Sequence, residues 1–320
     1  MDNIKLLMLS DSPLLNTGFS TISLNLANRL ADLGYDITYL GQAIPHAQRL
    51  EMIEPEKILK SWGISEKIPG IPVKVPSVYL NDGTPFKFNL VGQAMQPYCR
   101  DIIKPWIDIV KPDIFFTLLD TFMLYPWYLD LDFSPARSVF YYPSDGEPFL
   151  PGGNGICDMI LRKSNKSVAM SRFAQNQVKS YHKLETEYIP HSIDSNLFHP
   201  LPEQERLQNR AKWGLMGKFV VGCVARNQPR KMMDRTVKSF ARFAKDKEDV
   251  VLVLHLDPMD AAAGFDLNIL MRELGIMNKV IYTGTKYFLG FPYEQMREVY
   301  NLFDVFFLLT SGEGFGIPTI

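Results

Sequence analysis

Short apolar runs of strand length recur along this chain, each breaking into a polar or glycine-bearing loop and then into a segment of helical period. That recurrence leaves few architectures open. Lys5–Ser10 is the first run. Thr21–Leu33 follows with apolar residues at Ile22, Leu24, Leu26, Ala27, Leu30 and Leu33, close to the i, i+3, i+4 spacing of a helix, and Gly34 supplies its stop. Tyr35–Leu40 is the next strand, and further strands are expected at Asp113–Leu119, Ser138–Tyr142, Ser167–Met170 and Glu187–Ile193. Helices are expected over Asp101–Val110, over Cys157–Lys163, and from Ser171 to about His182. In the second half, strands at Phe219–Val224, Val250–Leu256, Val280–Thr283 and Asp304–Leu309 are separated by helices near 234–245, 265–274 and 293–301. Strands that alternate with helices imply a parallel, doubly wound α/β sheet. With 320 residues, 46% of them hydrophobic, the chain fills two such cores. Polar, proline-containing sequence from Asp194 to Glu205 places a linker at 194–208, between an N-terminal domain over 1–193 and a C-terminal domain over 209–320. The stretch from Gln42 to Gln93 is proline-rich, and its Asn81-Asp82-Gly83 turn suggests loops and a short hairpin.

Two loops carry chemistry. In Phe219–Lys231, FVVGCVARNQPRK, a β-branched run suited to burial on both faces ends in a turn that places Arg226 and Lys231 just past the strand's carboxyl end. Ligands of open α/β sheets bind in the crevice outside those ends, so two cations there point to an anion, most simply phosphate. In Thr310–Ile320, TSGEGFGIPTI, a second apolar run turns through Gly312, Gly314 and Gly316 around one carboxylate, Glu313. Glycines let backbone amides approach a ligand, and a carboxylate accepts hydrogen bonds from hydroxyls. Cations for a diphosphate and a carboxylate for a polyol together suit a nucleotide sugar.

ARNQPRK followed by SGEGFGIP resembles the donor site of family 4 glycosyltransferases, retaining enzymes of the GT-B fold, in which two Rossmann-like domains face each other across a cleft. The resemblance implies that Arg226 and Lys231 bind the donor diphosphate, that Glu313 contacts hydroxyls of the transferred sugar, and that the backbone of Gly314, Phe315 and Gly316 lies along sugar and phosphate. The family's second Glu, which binds the donor ribose, falls just beyond Ile320, so a truncated enzyme with an incomplete second domain is expected. Transfer would go from a UDP-, GDP- or ADP-linked sugar to the hydroxyl of a glycan, lipid or other acceptor, with retention of configuration. A non-catalytic nucleotide-sugar-binding protein of this fold, or another GT-B enzyme such as an epimerase or phosphorylase, is the alternative.

The first half is less specific. Its βαβ opening has the single Gly18 in place of G-x-G-x-x-G, and in family 4 the matching loop lies near the donor phosphates, which would put Gly18 and Thr17 there. The strand ending at Tyr142 leads into PSDGEP, where family members often carry a His; this chain offers Asp145 and Glu147, and Asp145 is taken as the catalytic candidate.

Thirty-four basic and 35 acidic residues give a net charge of −1, unlike a dedicated nucleic-acid binder. Cys99, Cys157 and Cys223 form no C-x-x-C and suggest neither a disulfide framework nor zinc, in keeping with a cytoplasmic setting. No apolar stretch reaches the roughly 18 residues of a membrane span. Asp130-Leu131-Asp132 looks like a metal-holding D-x-D, but GT-B enzymes generally neutralise the leaving diphosphate without a metal, and no cofactor is expected beyond the nucleotide-sugar co-substrate.

Overall fold

A computed structural model of the chain describes residues 3–15, 17–42, 51–53, 75–77, 86–91, 96–146, 154–260, 264–285 and 290–320. Its contacts separate it into two compact units, Met1–His191 and Ser192–Ile320.

The first unit is built on a parallel sheet of β1 (Lys5–Asp11), β2 (Asp36–Gln42), β5 (Asn89–Val91), β6 (Ile114–Leu118), β7 (Arg137–Tyr142), β8 (Lys166–Ala169) and β9 (Glu187–Tyr188), in the order β5-β2-β1-β6-β7-β8-β9. A separate antiparallel pair joins β3 (Glu51–Ile53) to β4 (Val75–Ser77); the turn expected at Asn81–Gly83 lies outside the described residues. Because side chains alternate across a strand, Leu6 and Met8 join Ile37, Tyr39 and Leu90 on one face, while Leu7 and Leu9 join Trp106, Phe115, Phe140 and Tyr142 on the other. Helix α1 (Gly18–Asp32) starts three residues earlier than its apolar period indicates, because Thr17 caps it and accepts the Ser20 N–H at 3.0 Å. Helices α2 (Ile103–Val110), α3 (Thr121–Leu124), α4 (Trp127–Asp130), α5 (Asn154–Lys163) and α6 (Arg172–Gln177) occupy the remaining crossovers.

The second unit has a four-stranded parallel sheet ordered β12-β11-β10-β13, from β10 (Phe219–Val224), β11 (Val250–His255), β12 (Val280–Tyr282) and β13 (Val305–Phe306). Val221, Cys223, Leu252 and Leu254 pack on Met233, Val237 and Phe240 of α8 (Met233–Phe243), while Val220 and Val253 pack with Leu215 and Leu302 on the opposite face. Helices α9 (Leu267–Glu273) and α10 (Tyr293–Tyr300) complete the crossovers. Strand β13 is shorter than the apolar run Asp304–Leu309 suggests. Its pairing is confined to Val221↔Val305 and Gly222↔Phe306, and the chain then turns away after Phe307 donates to Gly222 O at 2.8 Å.

The segment 194–208, expected as a linker, runs into a helix, α7 (Glu203–Lys212). Its sequence EQERLQNRAK is almost wholly polar, and polar bonds hold it. Asn209 Nδ2 donates to Glu298 O at 2.8 Å, and Arg206 and Arg210 both pair with Asp304, whose carboxylate also accepts the Val220 N–H at 2.7 Å. Burial opposes ionisation of Asp304, but these donors outweigh it and hold its carboxyl below the usual range.

Candidate functional site

In the second unit the crossover from β10 leads to β11 on one side, and the chain returns from β12 to place β13 on the other side of β10. That is a topological switch point, and the loops beyond the carboxyl ends of β10 and β13 flank the crevice it opens. These are the two loops singled out in the sequence.

Beyond β10, Ala225 donates to His255 O, and the chain turns through Asn227 into a short 3-10 turn, Pro229–Lys231. Asn227 is fully buried and donates to Phe265 O at 2.8 Å, while Gly264 N donates to Asn227 O at 2.9 Å. Gly264 is required there, because a Cβ on it would lie 2.7 Å from the Pro229 nitrogen. Met232 adopts φ +50 and opens α8 with no side-chain cap. This braced turn fixes where its three cations go.

Lys231 Nζ reaches both oxygens of Glu313, at 2.6 and 2.7 Å. The ammonium and carboxylate side chains are 13% and 18% exposed, so the pair is little screened by water. Arg230, absent from the sequence reading, ties the same two loops together. Its Nη1 donates to Gly312 O at 2.5 Å and lies 3.3 Å from Glu313 Oε2, while its carbonyl accepts Ser311 N at 2.9 Å. Gly312, Gly314 and Phe315 are partly buried around Glu313. Gly316 takes φ +86, a conformation that favours glycine, and opens the final turn Ile317–Thr319. Arg226 points to another carboxylate, Asp260, which it grips through Nε and Nη2, the latter at 2.8 Å. Asp260 is the second functional candidate the sequence did not reveal.

Around this crevice, His255 ends β11. Its Nδ1 lies 2.9 Å from Thr283 Oγ1, its ring stands edge-on to Phe291, and burial lowers its pKa to about 4. The imidazole is therefore neutral at pH 7 and adds no charge to the crevice.

The structure thus brings Arg226, Lys231, Glu313, Gly314, Phe315 and Gly316 to one end of one sheet. Gly18 and Asp145 belong to the first unit. Gly18 is the exposed first residue of α1, beyond β1 at the corresponding switch point between β1 and β6. Asp145 follows β7 and is half-buried beside the Ser144 turn; Glu147 lies outside the described residues. Near Gly18, Thr17 donates to the buried Asp11 carboxylate at 2.5 Å, and Gln42 donates to its other oxygen. Asp132 accepts the Ser134 N–H at 2.9 Å, which lowers its pKa, and among the described residues no three His, Cys, Asp or Glu side chains gather as a metal site.

Two Rossmann-like units, the second with a switch-point crevice between β10 and β13, make this a GT-B fold, the fold of a large class of glycosyltransferases. The chain is similar over 99% of its length to Anabaena HepE, solved in complex with UDP and glucose, with a TM-score of 0.67, 15% identity and 77% of that chain covered. Sucrose-phosphate synthase from Thermosynechococcus elongatus is similar over the same shares at a TM-score of 0.68 and 14% identity. WaaG, a glycosyltransferase involved in lipopolysaccharide biosynthesis, gives 0.61 and 11% identity over 96% of this chain and 75% of its own. In sequence, the chain is 27% identical over 134 residues to a GDP-mannose-dependent alpha-(1-6)-phosphatidylinositol monomannoside mannosyltransferase of Mycolicibacterium smegmatis. That match spans 41% of this chain and 32% of the relative. No protein-family model matches the chain.

Proposed function

We propose that this protein is a retaining glycosyltransferase that takes its sugar from a nucleotide-sugar donor held mainly by the second unit. The observation that carries this is the meeting of Lys231 and Glu313 at a sheet's switch point, an ammonium suited to phosphate beside a carboxylate suited to hydroxyls. Support comes also from HepE, which is solved with UDP-glucose, and from the GDP-mannose dependence of the mannosyltransferase relative. In the reaction the bond from anomeric carbon to phosphate oxygen breaks and a bond to the acceptor oxygen forms. The acceptor proton leaves on the departing diphosphate. Arg226 and Lys231 stabilise the charge that develops on that diphosphate, a preorganised electrostatic role that needs no metal. Asp145 is assigned to the acceptor side, where a glycan, lipid or other hydroxyl compound is bound.

The direct test is thermal stabilisation by UDP-, GDP- and ADP-sugars, followed by product analysis with candidate acceptors, since a ligand that binds only the folded state raises the melting temperature by mass action. One nucleotide series should stabilise the chain and be turned over. Stabilisation without turnover by any acceptor would identify a binding protein instead, and no stabilisation by any of the three series would sink the reading.

A further inference from the structure

We propose that Asp260 is a positioning residue that aims Arg226 at the donor diphosphate. This rests on the donor-site reading above. Arg226 hands its Nε and Nη2 edge to the two oxygens of Asp260. A guanidinium is planar, with its N–H groups in a fixed fork, so committing that edge sets the ring plane and turns the Nη1 edge to the opposite side. Arginine otherwise has many rotamers, and holding it in one before the ligand arrives removes an ordering cost from binding.

The carboxylate is the fixed partner. Its side chain is 1% exposed, against 28% for Arg226, so Asp260 has no route to water while Arg226 reaches the surface. It is seated by a tight turn in which Asp257 Oδ1 accepts Met259 N at 2.9 Å and Asp257 O accepts Asp260 N at 3.3 Å. The segment beyond is laced to the Arg226 loop through the Gly264 N–H to Asn227 O bond and the Gly264–Pro229 contact. Two loops from neighbouring strands, β10 and β11, therefore hold the pair between them.

Charge and geometry predict opposite signs. A carboxylate beside Arg226 weakens the field an anion meets, so on charge alone Asp260→Asn improves phosphate binding. On the positioning argument it weakens binding, because Arg226 loses the carboxylate that holds its Nε and Nη2 edge. The test is titration calorimetry of UDP, GDP and ADP against the full chain as parent, Asp260→Asn, Arg226→Ala and the double variant, with circular dichroism to check folding. Asp260→Asn should lose roughly tenfold in affinity for the preferred diphosphate and no more than about twofold when Arg226 is already Ala. Asp260→Glu, which keeps the charge but displaces it, should lose affinity as well, and it serves where the Asn variant does not fold. Parental or tighter binding by Asp260→Asn or Asp260→Glu overturns the proposal, as does an undiminished loss in the Arg226→Ala background. An Arg226→Ala variant that binds like the parent takes Arg226 out of the diphosphate site and overturns the proposal with it, whereas a parent that binds none of the three defeats the donor-site reading itself. The Arg226 Nε–H resonance then decides the positioning alone: slow exchange in the parent and fast exchange in Asp260→Asn support it, and equal exchange overturns it.

Discussion

Lys231 and Glu313 form a partly buried pair, so a substitution at either one removes the charge that the other faces. Lys231→Ala and Arg226→Ala are each expected to weaken nucleoside-diphosphate binding by about 1.5–3 kcal/mol, the value of a charge-assisted contact. If both variants bind diphosphate as the parent does in calorimetry, the phosphate assignment is wrong. Glu313→Gln should behave oppositely towards the two ligands. Free nucleoside diphosphate binds at least as tightly, because one negative charge beside Lys231 is removed, while the complete donor binds about 1–3 kcal/mol less tightly for want of the sugar contact. Equal weakening of both would remove Glu313 from the sugar. These residues were legible in sequence because each follows directly on an apolar run whose end must sit at a sheet's carboxyl edge. Asp260 was not, since it meets Arg226 across 34 positions and only through the adjacency of β10 and β11. Arg230 lies between two chosen positions, and nothing local separates its role from that of a solvated cation.

Strands with continuous buried apolar runs, such as β10 and β11, are legible from the sequence, whereas an element held by polar bonds is not. Strand β11 was expected to within a residue, because VVLVLH is a continuous run buried between two layers. Helix α7 was missed because its anchors are Arg206, Asn209 and Arg210, residue types that read as solvated surface. Asp304→Ala should therefore loosen α7 from the sheet. It leaves the largely buried Arg210 without its carboxylate and costs about 3–5 kcal/mol, measurable as a lower urea midpoint. Gly222→Ala should also destabilise, by about 1–3 kcal/mol or more, because its Cβ would fall 2.1 Å from the Phe303 ring. His255 adds a pH dependence. Its folded pKa of about 4 lies below the unfolded value near 6.5, so its contribution is complete above that value and is lost as pH falls towards 4. The loss is at most about 3 kcal/mol, and His255→Asn should flatten that part of the stability profile; an unchanged slope would show that the ring titrates normally.

At the scale of the molecule, two Rossmann-like units each present a switch point, and on the proposed function the side chains around them would decide which one receives a diphosphate. Beyond β1 and β6 the first unit places Asp11, buried and bonded by Thr17 and Gln42, and Asp120. Beyond β10 and β13 the second places Arg226, Arg230 and Lys231 among Asp260 and Glu313. With a net charge of −1, the chain as a whole gives an anion little general attraction, so the choice rests on these local sets. The start of α8, which among the described residues has no side-chain cap, favours an anion on the same side. Hydrogen exchange on the intact chain should therefore show a bound nucleoside diphosphate protecting amides within 225–235 and 310–317, while 12–20 exchange as before. Addition of a chelator should change neither the protection nor turnover, because side-chain cations supply the charge that a metal would otherwise bring. Protection centred on 12–20 would move the phosphates to the α1 loop and leave Gly18 as their contact. A signal that disappears with chelator and returns with manganese would bring a divalent ion into the site.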